Sequence, residues 1–354
     1  MTGATVSVII PTFNRAHQVL GAIQSVLGQV GAGEVEVVVV DDGSTDGTPE
    51  AVQRAFEGDP RVRYVQQANA GAAAARNAGL AHATGEYIAF LDSDDSWQPW
   101  HLRLQLAGLA RYPEAGLIWA NLDVVDGHDQ VVTARALTTF LSAYRYFTLA
   151  DLFHSSTPLA ELGVDIPVGG AGERLYLGDV FSQMVMGNLL FISSVVMRRA
   201  RLEAVGTFDT SLPASEDYDF LLRACREGPV AFADAPSTRY RVGTADRLSR
   251  PAMVILIART YLHILEATLA RDAGRITLSP AMIEEARWRA HQWIATEAIL
   301  AGEGREARGH VRAAMRLRGP RPGLWLMFAL TFVPTPFINL LVTARARLRR
   351  LSGQ

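Results

Sequence analysis

The chain has 354 residues, 49% of them apolar and 20% charged, so it can bury a large core and is not a disordered polymer. A formal net charge of −2 excludes a global pull toward nucleic acid, and any anionic partner has to be met locally. All 34 basic residues are Arg, which excludes Lys-based Schiff-base and P-loop chemistry; the single Cys225 excludes an internal disulfide and a cysteine-rich zinc site.

The N-terminal MTGATVSVIIPTFNR lacks the basic start and long apolar core of a secretory signal, which predicts a cytoplasmic protein. The first half then alternates β-branched runs with helical patterns. Val6 to Ile10 reads as a buried strand, and Val19, Leu20, Ile23, Val26, Leu27 and Val30 mark one face of a helix. Val35 to Val40 is a second strand, Thr48 to Phe56 a helix, and Val62 to Val65 a third strand. An Ala-rich helix follows near Gly71 to Ala83, then a strand at Tyr87 to Leu91 and a helix marked by Leu102, Leu106 and Leu109. Gly116 to Ala120 reads as a fifth strand. This order predicts an α/β fold with a mainly parallel sheet flanked by helices on both faces.

Residues 122–190, rich in Ser, Thr, Gly and Pro, read as an insertion or acceptor-side loop region. Val195 to Met197 and Ala231 to Ala233 read as short strands around a helix at Tyr218 to Cys225. From Ala252 to Leu317 the pattern is helical, with breaks near Gly274 and Gly302. The expected organisation is a catalytic unit over 1–250, a C-terminal helical extension over 251–318, and an apolar and basic tail over 319–354.

Three polar motifs lie just beyond strands: PTFNR at 11–15, DDGSTDGT at 41–48 and DSDD at 92–95. Open α/β sheets bind ligands outside the carboxyl ends of their strands, so the three point to one edge. Asp41 or Asp42 can accept hydrogen bonds from the amide edge of a nucleobase, or simply serve a turn and a helix cap. Within NAGAAAARNAGL, Arg76 can fork onto a diphosphate or base, or can be a surface residue of an Ala-rich helix. In FLDSDD, alternation along an extended segment would put Asp92 and Asp94 on one side, where a hard divalent cation bridges protein and phosphate. Asp95 or Ser96 would cap the helix that follows. ASEDYDFLLRA opens a helix with Glu216, Asp217 and Asp219, which suits the helix dipole and gives Asp217 a position from which to take a proton from a hydroxyl.

These signals occur in the order of a known arrangement. The sequence resembles the family 2 glycosyltransferases, which have the Rossmann-like GT-A fold. The resemblance covers about Val6 to Arg241 and is carried by VSVIIPTFNR, VVVVDDGSTDGT, ANAGAAAARNAGL, GEYIAFLDSDD with Trp97, and VGTFDTSLPASEDYDFLLRA. It implies a metal-dependent, inverting enzyme that moves a sugar from a nucleotide-diphospho-sugar, with uridine the first choice of base, to a glycan or lipid-linked acceptor. It also implies donor contacts from Pro11, Thr12, Asn14, Arg15, Asp41, Asp42, Ser44, Asn69, Arg76, Asp92 and Ser93. Asp94, with Asp92, would hold Mg²⁺ or Mn²⁺, Asp217 would be the general base, and Trp97 and Glu216 would face the acceptor. One departure is Gly243, which stands where many relatives have a His after a Y-R-V triplet; Arg241, Asp246 or Arg247 would have to substitute. The rival reading is a non-catalytic nucleotide-sugar-binding module that recruits partners at a membrane.

From Gly323 to Ala344 the chain carries no charge, with Arg316, Arg318 and Arg321 before it and Arg345, Arg347, Arg349 and Arg350 after it. Its length suits a membrane helix, but Pro334 and Pro336 would break one at its middle. A shallow hairpin lying on the inner face of the cell membrane through 323–350 fits the basic flanks; a buried helical pair is the alternative.

Overall fold

The computed structural model describes residues 5–167, 173–243, 251–334 and 336–338. The chain forms two compact units, one of residues 1–211 with 216–245 and one of residues 212–215 with 246–354.

In the first unit eleven strands join one sheet among the described residues. They are β1 (Thr5–Thr12), β2 (Glu34–Asp41), β3 (Val62–Gln66), β4 (Tyr87–Phe90), β5 (Ser96–Trp97), β6 (Leu117–Val125), β7 (Val131–Thr133), β8 (Ser155–Pro158), β9 (Arg174–Gly178), β10 (Val195–Arg198) and β11 (Val230–Arg241). The order is β3-β2-β1-β4-β10-β6-β11-β9-β8, with β5 on β11 and β7 on β6. β1 to β4 are parallel, as their apolar runs predict; β10 enters antiparallel between β4 and β6, and β11 again runs parallel to β6. The carboxyl ends of β1, β2, β4, β6 and β11 therefore share an edge.

Packing brings the first helices close to this edge. The Ala72–His82 helix lies against β1 and β2 so tightly that a methyl group at Gly79 would stand 2.4 Å from Ile9 Cγ2. At its start Gly71 has φ +89°, a conformation that only glycine adopts without strain, so the chain turns sharply into the helix beside the sheet edge. Phe90, Phe208 and Phe220 stack or meet edge-on between β4 and the Glu216–Arg226 helix and so fix the start of that helix.

The second half of the sheet departs from expectation. β11 spans twelve residues where three were expected. ADAPSTRYR looks like a turn by composition, and Pro236 has no amide hydrogen to give a ladder. The strand accommodates it with register shifts on either side of Pro236, then rejoins β6. β6 likewise runs on past Ala120, because its polar Asn121 and Asp123 find partners: Asn121 donates to Asp234, and Asp123 accepts from the Arg135 amide. Within 122–190, β8 and β9 extend the sheet as an antiparallel pair.

The second unit is helical: Pro251–Arg271, Pro280–Ala301, Gly304–Arg318 and Pro322–Leu330. The break expected at Gly302 is a left-handed C-terminal cap, φ +81°. Ser279 caps the second helix through its hydroxyl and the Met282 amide. Ala295, Val311, Ala314 and Leu324 make one buried seam of this unit. Among the described residues the helix long and apolar enough to cross a membrane is Met253–Arg271, one third of it buried. In the tail, Trp325, Leu326, Phe332 and Phe337 are all more than half exposed. Asp246 and Arg247, and the tail beyond residue 338, lie outside the described residues.

Candidate active site

The residues of PTFNR lock onto those of DDGSTDGT. Asn14, at φ +52°, donates its amide to Ser44 Oγ at 2.8 Å, and its Oδ1 accepts the Thr45 amide at 2.8 Å. The Arg15 amide donates to Thr48 Oγ1 at 3.1 Å. Asp41 is fully buried and accepts from the Ser44 amide at 2.7 Å and from the Tyr64 hydroxyl. Asp42 accepts from Gln67 Nε2 and from the amides of Ala70 and Gly71, all at 2.7 to 2.8 Å. Both carboxylates are thus engaged by the protein, and they shape the two loops rather than presenting unpaired oxygens. Thr12 differs: its buried Oγ1 has no partner, at the end of a strand that opens on the same edge. Pro11 sits beside Val40 in the β1–β2 register, and Asn69 is exposed on the loop that Asp42 holds.

DSDD is a turn, not an extended segment, with the Asp95 amide donating to the Asp92 carbonyl at 3.0 Å. The alternation argument for Asp92 and Asp94 therefore fails, yet their charges are answered as electrostatics requires. Arg15 Nη1 lies 2.7 Å from Asp94 Oδ1, and Arg76 Nη2 lies 2.8 Å from Asp92 Oδ1. Arg76, 4% exposed, also reaches Glu216 Oε1 at 2.8 Å, so one guanidinium ties the turn to the start of the Glu216–Arg226 helix. Burial by itself would make Arg76 a weaker base, but Asp92 and Glu216 hold it firmly protonated.

Asp95 does not cap a helix either. It is buried, and it accepts from Ser193 Oγ at 2.8 Å and from the Arg241 amide at 3.2 Å. Ser193 Oγ in turn accepts the Asp92 amide at 3.1 Å, which makes it a clip across the turn. Nothing in the sequence around Ser193 signals this role. Ser93 is buried beneath the turn, and Arg241 Nε donates to the Asp94 carbonyl at 3.2 Å. Arg241 therefore touches the turn through its backbone and one guanidinium nitrogen. Gly243, at φ +87°, brings no side chain.

Trp97 was expected on the acceptor side, but it is 4% exposed. Its indole donates to the Ser193 carbonyl at 2.6 Å and stacks on His101, so the ring supports the site from below and offers no face to a ligand. Glu216 is held by Arg76, and Asp217 Oδ1 accepts the amide of Tyr218 at 2.8 Å.

The electrostatic sum at the edge is negative. Asp92, Asp94, Asp95, Glu216 and Asp217 interact through space, with Arg15, Arg76 and Arg241 among them. Burial, and then the charges of Asp94 and Asp92, push the Asp95 carboxyl well above the usual range. Burial also raises Asp94, against the pull of Arg15. Asp217 is pushed up to about 6 by burial and by Glu216, with Arg76 opposing. A cation would relieve this excess. Among the described residues no group of three or more His, Cys, Asp or Glu is placed to hold an ion. Asp92 and Asp94 are each paired with a guanidinium, so an ion at this turn would find at most these two carboxylates and would need substrate phosphates to complete its shell.

Residues 7–158 match the family model described as Glycosyl transferase family 2. The succinoglycan biosynthesis protein ExoO of Rhizobium meliloti is 45% identical over 250 residues, covering 69% of this chain and 63% of that protein. The chain spans less than two thirds of the length of the curated relatives it matches. Two solved structures share the fold: a mannosyltransferase from Pyrobaculum calidifontis in complex with GDP-Man and Mn²⁺, and S. aureus TarS in complex with UDP-GlcNAc. The first has a TM-score of 0.52 and 21% identity, covering 98% of this chain and 86% of the other. The second has a TM-score of 0.51 and 19% identity, covering 88% of each.

Proposed function

The chain carries a family 2 glycosyltransferase domain of GT-A fold, and from that premise we propose that it transfers a sugar, with inversion, from a nucleotide diphosphate, UDP first, to a glycan or lipid-linked acceptor. The observation that carries this reading is the Arg76 bridge, which joins the Asp92 turn to the helix bearing Asp217. It brings a diphosphate-facing edge and a candidate base into one electrostatic unit.

In this reading the loops of Asn14, Ser44 and Asn69, with the unpartnered Thr12 hydroxyl, receive the nucleoside. Arg15 and Arg76 face the diphosphate, for which a guanidinium offers paired donors. Asp94, with Asp92, would hold Mg²⁺ or Mn²⁺, which when bound offsets negative charge growing on the leaving diphosphate. Asp217, with its carboxyl raised to about 6, is ionised at neutral pH and a better proton acceptor than an ordinary carboxylate. It takes the proton of the acceptor hydroxyl as that oxygen attacks the anomeric carbon from the face opposite the diphosphate. Glu216, paired with Arg76, adds its charge to the burial that raises Asp217. The chemistry speaks against a mere binding module, which has no use for a strengthened base beside the donor edge.

The exposed Trp325, Leu326, Phe332 and Phe337 support a membrane role for the tail on the cytoplasmic face. A cell-envelope glycan as product accords with the succinoglycan relative.

Three outcomes follow. Transfer in the presence of Mn²⁺ should be lost in Asp94→Ala and in chelator; full activity in chelator would remove the ion from the reaction. Asp217→Asn should bind the nucleotide sugar like the parent while transfer drops about 10²- to 10⁴-fold; unchanged turnover would exclude Asp217 as the base. Deleting residues 320–354 should release the protein from membranes in a flotation assay, and a full-length chain that is soluble without detergent would contradict the anchor.

A further inference from the structure

Away from the donor edge, the first unit holds a cavity of about 250 Å³ between β6, β11 and the segment 135–149. Its walls include Asn121, Arg135, Thr138, Tyr144, Phe147 and Asp234. Asn121 sits on β6 two residues after Trp119, hence on the same face of the sheet. The volume lies just below the roughly 300–1,000 Å³ of ordinary small-molecule sites, which suits a single ring with its substituents.

Two carboxylates here share one guanidinium. Arg135 Nη1 donates to Glu173 Oε1 at 2.7 Å, and Nη2 to the Asp234 carbonyl at 2.7 Å with Oδ1 at 2.9 Å. Asn121 Nδ2 donates to the same Asp234 Oδ1 at 2.7 Å. Arg135 is set in this pose by a left-handed backbone, φ +49°, and by its amide bond to Asp123. None of these contacts uses Asp234 Oδ2, which leaves an acceptor on the wall.

This arrangement selects among ligand classes. A free anion would approach two carboxylates shared by one guanidinium and be repelled. An organic cation would have to lie against Arg135. A neutral ring with several hydroxyls meets neither penalty. It can donate to Asp234, accept from Arg135 and exchange with the Thr138 hydroxyl, while its C–H face lies on the rings of Tyr144 and Phe147.

We propose that this cavity is a second carbohydrate position, taking a neutral pyranose unit of the acceptor at a distance from the reacting end. Through β10, Val196 pairs with both Ala89 of β4 and Ile118 of β6, so Asn121 lies level with Asp92 but two strands to the side, roughly 10 Å away. That lateral separation puts the bound unit to one side of the sugar that reacts. The assignment of the ligand to the acceptor rests on the glycosyl-transfer reading above; the ligand class rests on the cavity alone.

The test is a saturation-transfer NMR titration of the full-length chain with glucose, N-acetylglucosamine and cellobiose, against glucuronate and glucose 1-phosphate. The neutral probes should bind in the millimolar range and the charged ones should not. Thr138→Trp, which fills the cavity, and Phe147→Ala, which removes a wall, should each weaken the neutral probes by about tenfold or more. UDP binding on the same samples checks that the variants are folded. Failure of every neutral probe, preference for the charged ones, or variants that bind like the parent would overturn the proposal. Saccharide binding that responds to the variants in a chain that never binds UDP or UDP-sugars would instead uphold the cavity and sink the transferase reading.

Discussion

The constraint on which the site depends is an excess of carboxylates at one sheet edge, held in place by guanidiniums of which Arg76 is buried. Like charges a few ångströms apart cost roughly 1 kcal/mol in water and several times that in a half-buried cleft. Arg15 and Arg76 answer the two outer carboxylates of the Asp92 turn. The third, Asp95, is turned inward and clipped by Ser193 and the Arg241 amide. What remains is a negative edge, the feature on which the proposed cation and diphosphate binding rests. Because Arg76 also grips Glu216, the same balance reaches the helix that carries Asp217.

The scaffold makes that balance possible. Parallel strands deliver three loops to one side, and small residues let the Ala72–His82 helix approach the sheet so that Arg76 can be buried and still meet both partners. Aromatic packing of Phe90, Phe208 and Phe220 fixes where the second carboxylate-bearing helix begins. Farther along the sheet the same logic recurs on a smaller scale, with Arg135 shared by Glu173 and Asp234. There one guanidinium is shared by two carboxylates beside a polar cavity. The two proposed sites ask different things of a ligand: phosphate and metal at one, hydroxyls at the other.

Much of this was legible in the sequence wherever one physical signal dominated. β-branched runs gave β1 to β4, and the run of acidic residues after Leu91 demanded a positive partner. The sequence could not say that the partner was Arg15, because that contact joins two loops seventy-nine positions apart in number. It read Asp95 as a helix cap, and the resemblance put Trp97 toward the acceptor; both are buried through contacts with Ser193, which nothing local marks. β11 was missed over most of its length because Pro236 and its neighbours spell a turn. Only pairing with β6 and β5 makes that segment a strand. Residues 122–190 read as loops because β7, β8 and β9 span only three to five residues, too few to show a period, and their pairing comes from neighbouring strands.

The central claim is that Arg76 couples the donor edge to the base. The most direct test is a carboxyl-detected NMR titration of Asp217 in the parent chain and in Arg76→Gln. In the parent, burial and Glu216 raise the carboxyl to about 6 against the pull of Arg76, so the base should ionise through that value as pH rises. Removing the guanidinium should move the titration higher still, because the opposing charge is gone. An Asp217 that titrates as an ordinary carboxylate, or one whose titration is the same in both proteins, would contradict the account.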